Sequence, residues 1–424
     1  MNNTRYFKKT NLIMVLVIIT SVILTGCSNL SNVGSSIKKN ISKEVATEVE
    51  KKEDDIIVVE KIEEVGSEED NNTSELSGID FAKAKEEIIS DESRYYAYSK
   101  LNDDERIVYT EILSILSTLG KDVKVSSLDT ELIDKAFKCV LIDHPELFYI
   151  SGYSFTKFLR GDNLEKITVT GTYFMSEKEV AQAMERVEQY TNECISGYSG
   201  GVDEYNKVKY VYEYLIKNNE YDLTAINNQN ILSVVDEHRT VCQGYAKMTQ
   251  YILNKMGVFC TLCEGIVKGS EAHVWNIVKI NGEYYHVDTT WGDASYNLSS
   301  ESDASLKAPE VNYDYLCVND DKISEAHVIK NRVECPSCTS MDANYYVMEG
   351  LYFTEVNTDQ IKEAFDKARD NNDAYVTLKC ENANVYAAMH THLIENQKVF
   401  DYLAGNTNVN YLEFKEECRI SFYL

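Results

Sequence analysis

Residues 239–292 read RTVCQGYAKMTQYILNKMGVFCTLCEGIVKGSEAHVWNIVKINGEYYHVDTTWG, and this stretch decides the fold around it. After Val241-Cys242-Gln243-Gly244, the positions Tyr245, Thr249, Ile252, Leu253 and Met256 recur at helical spacing, and Gly257 supplies a stop. A thiol opening a helix faces unpaired N–H groups and the positive end of the dipole. That setting favours thiolate and lowers a Cys pKa from about 8.5 into the range of roughly 3.5–7.5. Cys242 therefore stands where a nucleophile would stand.

The strands that follow can be set in register. Val258 to Val267 is β-branched and apolar, a buried strand. His273 to Ile280 then runs into Asn281-Gly282 and on into Glu283 to Asp288. Asn-Gly between two such runs predicts a two-residue type I′ hairpin. The turn pairs Ile280 with Glu283, sets Trp275 opposite Asp288, and sets His273 opposite Thr290. Side chains alternate with period 2, so these four share one face, with His273 and Asp288 as diagonal neighbours roughly 7–8 Å apart. Cys, His and an orienting Asp, in that order, are the parts of an activated-thiol triad.

The motifs VCQGYA, HVWN and DTTWG, taken together, resemble the transglutaminase-like superfamily of papain-type cysteine enzymes, most of all its bacterial and kyphoscoliosis-peptidase-like branch. The resemblance covers Val202 to Asp293 well and the flanks loosely. The family's usual His-Ala-Trp stands here as His273-Val274-Trp275, and its Asp-x-Thr as Asp288-Thr289-Thr290. It implies Cys242 as nucleophile, His273 as base and Asp288 as orienter. It also implies an α+β fold with a papain-like transglutaminase core, a Cys-bearing helix packed on an antiparallel sheet bearing His and Asp, flanked by small α/β domains. Tyr221, Gln243 and Trp275 are candidates for lining the cleft or supporting an oxyanion. His238 and His286 are not chosen as base. The former precedes the helix and is expected to face solvent; the latter lies near the turn, opposite Ile277.

In the 424 residues, a net charge of −27 argues against nucleic acid as a partner and against a polybasic membrane patch. Residues 1–27 have a basic start at Arg5, Lys8 and Lys9, then an apolar run from Leu12 to Leu24 that is short for a membrane span of ~20 residues. The run ends in Leu24-Thr25-Gly26-Cys27, which resembles a bacterial lipoprotein box and implies lipidation at Cys27. The protein is thus expected on the outer face of the cytoplasmic membrane, held by a lipid anchor. Residues 28–77, acidic and poor in aromatics, are expected to be a disordered tether.

Residues 78–201 are expected to form an N-terminal α/β domain, with helices over Asp103–Leu119 and Leu132–Ile142, strands over Phe148–Phe158 and Lys166–Phe174, and a helix after a capping box at Ser176 and Glu179. His144, before a Pro, reads as a turn residue rather than a ligand. The catalytic domain is placed at 202–340. Residues 341–424 read as a small C-terminal α/β domain without a catalytic motif, with an extended segment at Tyr345–Phe353.

Eleven cysteines include two CxxC pairs, Cys260/Cys263 and Cys335/Cys338. The first lies in a buried strand, where Cys acts as a small apolar residue. The second follows a loop with Pro336; a disulfide or metal knuckle is an alternative there to a plain structural role. The chemistry of the triad calls for neither a cofactor nor a metal.

The resulting expectation is an extracytoplasmic, thiol-dependent acyl-transfer enzyme acting on peptide or Gln amides of protein or cell-wall peptides. Hydrolysis by a peptidase or amidase is favoured over cross-linking. The alternative, from another class, is a non-catalytic cell-surface binding module on the same scaffold.

Overall fold

The computed structural model describes residues 49–53, 56–64, 94–267, 271–293, 309–331 and 333–424. Cys27 and the rest of the expected leader lie outside the described residues. So does most of the expected tether, but not all of it. Strands β1 (Val49–Glu53) and β2 (Ile56–Glu64) form an antiparallel pair, and β2 continues a sheet. This part of 28–77 is therefore ordered, contrary to the expectation of a tether. The physical reason is the β-branched run Ile56-Ile57-Val58-Val59, which pairs in parallel with β4 and half-buries residues 57–59, while Lys157 Nζ meets Glu60 Oε1 at 2.7 Å.

That N-terminal sheet has the order β1-β2-β4-β5-β3, with β3 at Val123–Lys124, β4 at Ile150–Arg160 and β5 at Asn163–Tyr173. Helices α1 (Asp103–Ser117), α2 (Thr130–Asp143) and α3 (Glu177–Ser196) accompany it. The Ser176 capping box forms as expected: Ser176 N–H donates to Glu179 Oε2 at 2.8 Å, and the Ser176 hydroxyl accepts from the Glu179 N–H.

Helix α4 (Glu204–Asn218) leads through the short parallel strands β6 (Glu220–Tyr221) and β7 (Arg239–Thr240) to α5 (Cys242–Lys255). Met248, Ile252 and Leu253 of α5 are fully buried, each contributing about 1.5–3 kcal/mol over exposure. The helix is thus held by its buried face rather than by propensity. Beside it lies the second sheet, ordered β11-β10-β9-β8-β12. Its strands are β8 (Cys260–Val267), β9 (Ala272–Ile280), β10 (Glu283–Val287), β11 (Leu316–Val318) and β12 (His327–Ile329).

The Asn281-Gly282 turn forms with φ of 52° and 93°, the positive values a type I′ turn demands, and Ile280 pairs with Glu283. One apolar core runs from Ala97 to Ala343, so the expected N-terminal and catalytic domains share a single interior. The C-terminal region has a core of its own, from Phe353 to Phe422, around the sheet β13-β14-β16-β15. There β13 (Tyr352–Phe353), β14 (Tyr375–Cys380), β15 (Tyr411–Phe414) and β16 (Arg419–Tyr423) surround α6 (Thr358–Asp370). Tyr345–Met348 is a helical turn capped by Asn344, not the extended segment expected. The protein is thus a mixed α+β structure. Among the described residues, no helix is long and apolar enough to cross a membrane.

Candidate active site

Cys242 is the first residue of α5, after Val241 in an extended conformation, and it is half-buried. The N–H groups of Cys242 and Gln243 belong to the first helical turn and have no intrahelical carbonyl to bond. Two residues on, Gly244 presses against the approach to the helix. A Cβ there would lie 1.9 Å from Thr240 Oγ1. Only glycine lets Thr240 pack this close and fix where the helix begins.

His273 stands on β9 and Asp288 just past the end of β10. The hairpin keeps its expected register as far as Val287, opposite Asn276. Asp288 then leaves the strand to cap the turn Thr289–Gly292, accepting from the Trp291 N–H at 3.1 Å. Its other oxygen meets His273 Nε2 at 2.7 Å. Nε2 rather than Nδ1 of the ring faces the carboxylate. The reason is reach, since the carboxylate sits one step beyond the strand and the tip of the ring spans the gap. The Cys242 thiol also acts on this imidazole, helping to raise its pKa, and with Nε2 taken by Asp288 the nitrogen left to face it is Nδ1.

Three side-chain bonds hold these elements together. Asn276 Nδ2 donates to Ala246 O at 2.9 Å, Thr249 Oγ1 meets Thr289 Oγ1 at 3.0 Å, and Tyr245 O–H donates to Asp293 Oδ2 at 3.0 Å. Helix, His strand and Asp turn are cross-braced, as a preorganised site requires.

The electrostatics follow from burial and pairing. Burial works against a charged His273, yet the Asp288 carboxylate, with help from Cys242, outweighs it and holds the ring's pKa up at about 10. Asp288 is fully buried, which alone would raise its pKa. The charges and hydrogen bonds of His273 and then His327 hold it well below the ordinary carboxylate range. His273 is therefore protonated and Asp288 ionised at neutral pH.

His327 is the residue of this site to which the sequence reading gave no role. It opens the edge strand β12, is buried, and brings Nε2 to 2.9 Å from the same Asp288 oxygen that His273 uses. Its one signal in the sequence was a His at the head of a β-branched run, Val328-Ile329. The donor atoms of His273, Asp288 and His327 lie close enough together to suggest a metal. However, the Nε2 atoms are at hydrogen-bond distance from the oxygen. A zinc ion would need each ligand at about 2.0–2.2 Å from itself, with the ligands spread around it. Protons, not a cation, join these groups.

A cleft of about 890 Å³ opens at Cys242 and His273, with Tyr221, Gln243, Lys247 and Glu264 among its lining. Tyr221 and Gln243 both line this cleft. Trp275 does not: it is buried behind His273, its ring stacked on the imidazole at 5.9 Å, and its indole N–H donates to His286 Nδ1 at 3.0 Å. On its face of the sheet it packs against the His327 ring and with Ile323 and Cys338, which keeps it out of the cleft. His286 pairs with Ile277 and bonds Asp320 at 2.9 Å, away from the thiol. His238 is exposed, and His144, paired with Glu146 at 2.7 Å, lines the far side of the cleft.

Comparisons with known proteins find one family match over part of the chain. Residues 188–289, which hold Cys242, His273 and Asp288, match the family model described as the Transglutaminase-like superfamily. No curated protein matches the chain. Among solved structures, a TGase aligns at 12% identity and TM-score 0.25, over 38% of this chain and 55% of that one. A protein provisionally assigned as a cysteine protease of Cytophaga hutchinsonii aligns at 10% identity and TM-score 0.23, over 44% and 76%. A provisionally assigned protease of Parabacteroides distasonis aligns at 8% and 0.19, over 32% and 39%. This chain thus spans about half the length of the TGase.

Proposed function

We propose that the protein is a thiol-dependent acyl-transfer enzyme that cleaves peptide or Gln side-chain amides through a thioester on Cys242. The observation that carries this reading is the chain of contacts from the helix-start thiol of Cys242 to His273 and on to the buried Asp288. The Cys242 sulfur attacks the amide carbon, and the oxyanion forms beside the unbonded N–H groups at the start of α5. Tyr221, on the cleft wall, is close by in the same lining. The imidazolium of His273 gives its proton to the leaving amine, the C–N bond breaks, and a thioester remains. His273 then takes a proton from water, which attacks the thioester; the C–S bond breaks, the acid is released, and the thiolate returns beside the imidazolium. Hydrolysis is preferred to cross-linking because water needs no second binding site, whereas an amine acceptor does.

The test is incubation with a peptide library plus an amine donor, read by mass spectrometry. Hydrolysed products are expected, amine adducts would move the assignment to transamidation, and no product with either would favour the binding module. Cys242→Ala should abolish turnover while unfolding stays within about 1–2 kcal/mol of wild type.

The reading also places the enzyme outside the cytoplasmic membrane, acting on protein or cell-wall peptides and anchored by lipid on Cys27. The support is the Leu24-Thr25-Gly26-Cys27 sequence after an apolar run. Cys27→Ala should release the protein from membranes or leave an uncleaved precursor, and unchanged lipidation and fractionation would remove this part.

A further inference from the structure

On the face of the second sheet that carries His273 and Trp275, two cysteines far apart in sequence come together. Cys263 lies in β8, opposite Trp275 of β9, and is fully buried. Cys335 follows β12 in the segment that leads away from His327, and it is half-buried. Their sulfurs are 3.5 Å apart, in contact.

The approach is built by the backbone on both sides. Lys330 N–H donates to Glu264 O at 2.9 Å, and Glu264 N–H donates to Asn331 Oδ1. Both backbone groups of the residue next to Cys263 are thus taken by the segment that carries Cys335. Further along, the Tyr96 hydroxyl donates to Glu334 O at 2.7 Å, and Pro336 restricts Cys335 to extended backbone. The Asn331 amide also touches both sulfurs.

The CxxC neighbour points elsewhere. Cys338 donates its N–H to Asp320 Oδ2 at 3.0 Å, and its sulfur groups with His286 and Asp320, within 4.8 Å of their donor atoms. That second group does not make a metal site. His286 Nδ1 accepts from the indole of Trp275, so Nε2 carries the proton that it gives to Asp320 and has no lone pair for a cation.

We propose that Cys263 and Cys335 form a reversible disulfide that staples β8 to the segment following His327, with Cys338 left as a thiol. The oxidant is a small-molecule disulfide. Half-buried Cys335, as thiolate, attacks one sulfur of it, forms a mixed disulfide and releases one small thiolate. Cys263 then gives up its proton and attacks the Cys335 sulfur, releasing the second small thiol. Two protein thiols are oxidised and one disulfide is reduced to two thiols. The order follows access, since Cys263 is sealed in and burial pushes its thiol pKa well up, with the hydrogen bond and charge of Cys335 adding to that. The bond closes a long stretch of chain that includes His327, so it constrains the edge strand that supports Asp288.

The experiment needs no substrate and so stands apart from the proposed activity. The full chain, purified reduced, is equilibrated in buffers of oxidised and reduced glutathione, alkylated, digested and mapped by mass spectrometry. A peptide linking Cys263 to Cys335 is expected, with Cys338 alkylated. The link should persist in Cys338→Ser and be lost in Cys335→Ser, and the oxidised protein should melt several degrees higher, reversed by dithiothreitol. A Cys335–Cys338 link, alkylation of both Cys263 and Cys335 in fully oxidised glutathione, or an unchanged Tm on linkage would overturn the proposal.

Discussion

His327 presents Nε2 at 2.9 Å to Oδ2 of Asp288, the same oxygen that receives His273. One carboxylate oxygen thus serves two imidazoles, while the other accepts from the Trp291 N–H. With three donors, Asp288 has no rotational freedom, and His273 inherits that order. His327→Ala should lose about 1–3 kcal/mol of stability, the usual cost of breaking a buried bond to a charged group. It should also lower kcat/KM about tenfold. Losing one donor makes Asp288 a stronger acceptor, so the alkaline limb of the pH–rate profile should move upward. His327→Gln, whose amide can still donate, should recover much of the rate. An Ala variant that loses stability but keeps the wild-type rate and pH profile would reduce His327 to a packing residue.

Asp288→Asn tests the charge on the orienter. In the wild type His273 is held up from 6.5 to about 10, chiefly by Asp288 working against burial. That raised pKa makes a stability contribution that is fully present below pH 6.5 and is lost as pH rises through about 10. Asp288 is shifted the other way, so its share is present above its ordinary 3.8 and is lost on acidification. In the Asn variant only the smaller help from Cys242 opposes burial, and the alkaline limb of kcat/KM should fall from near 10 toward the ordinary 6.5. The rate should drop by roughly 10²–10⁴, the usual worth of a well-placed acid–base pair. Titration of the His273 ring by NMR in both proteins checks this directly, and an unmoved pKa would mean that Asp288 does not set it.

How much of this could be read from the sequence depends on the distance over which each contact is made. The hairpin carried its own register, because Asn281-Gly282 fixes the turn and period 2 fixes the faces. Cys242 was placed by a helix start that needs only local residues. What escaped were features closed by distant chain. His327 arrives on a three-residue edge strand, and nothing near Asp288 announces it. The parity argument put Trp275 and His273 on one face correctly, but it carried no information on what covers that face. Strand β2 was taken for tether because its acidic neighbours outweigh four β-branched residues until β4 offers an edge. The choice of Nε2 over Nδ1 turned on Asp288 leaving its strand one residue early to cap Thr289–Gly292.

Asp314 joins the catalytic core to the C-terminal region and should prove the most sensitive position outside the active site. It lies buried between Lys379 Nζ at 2.8 Å, from β14, and Arg419 Nε at 2.9 Å, from β16. Burial would raise its pKa, but Arg419 and then Lys379 overcome that and hold the carboxyl well below the ordinary range. Its contribution is therefore present above its ordinary 3.8 and is lost as pH falls through the depressed folded value. Asp314→Ala leaves two nearly buried cations facing each other without an anion. Breaking a buried pair in this way costs about 3–5 kcal/mol, more than a typical core substitution. The loss should appear first in the C-terminal region, whose core is separate. Limited proteolysis should therefore release residues beyond about 350 while the core holding Cys242 and His273 stays intact. A variant that unfolds as one unit at the wild-type midpoint would show that these ion pairs do not fasten the two regions.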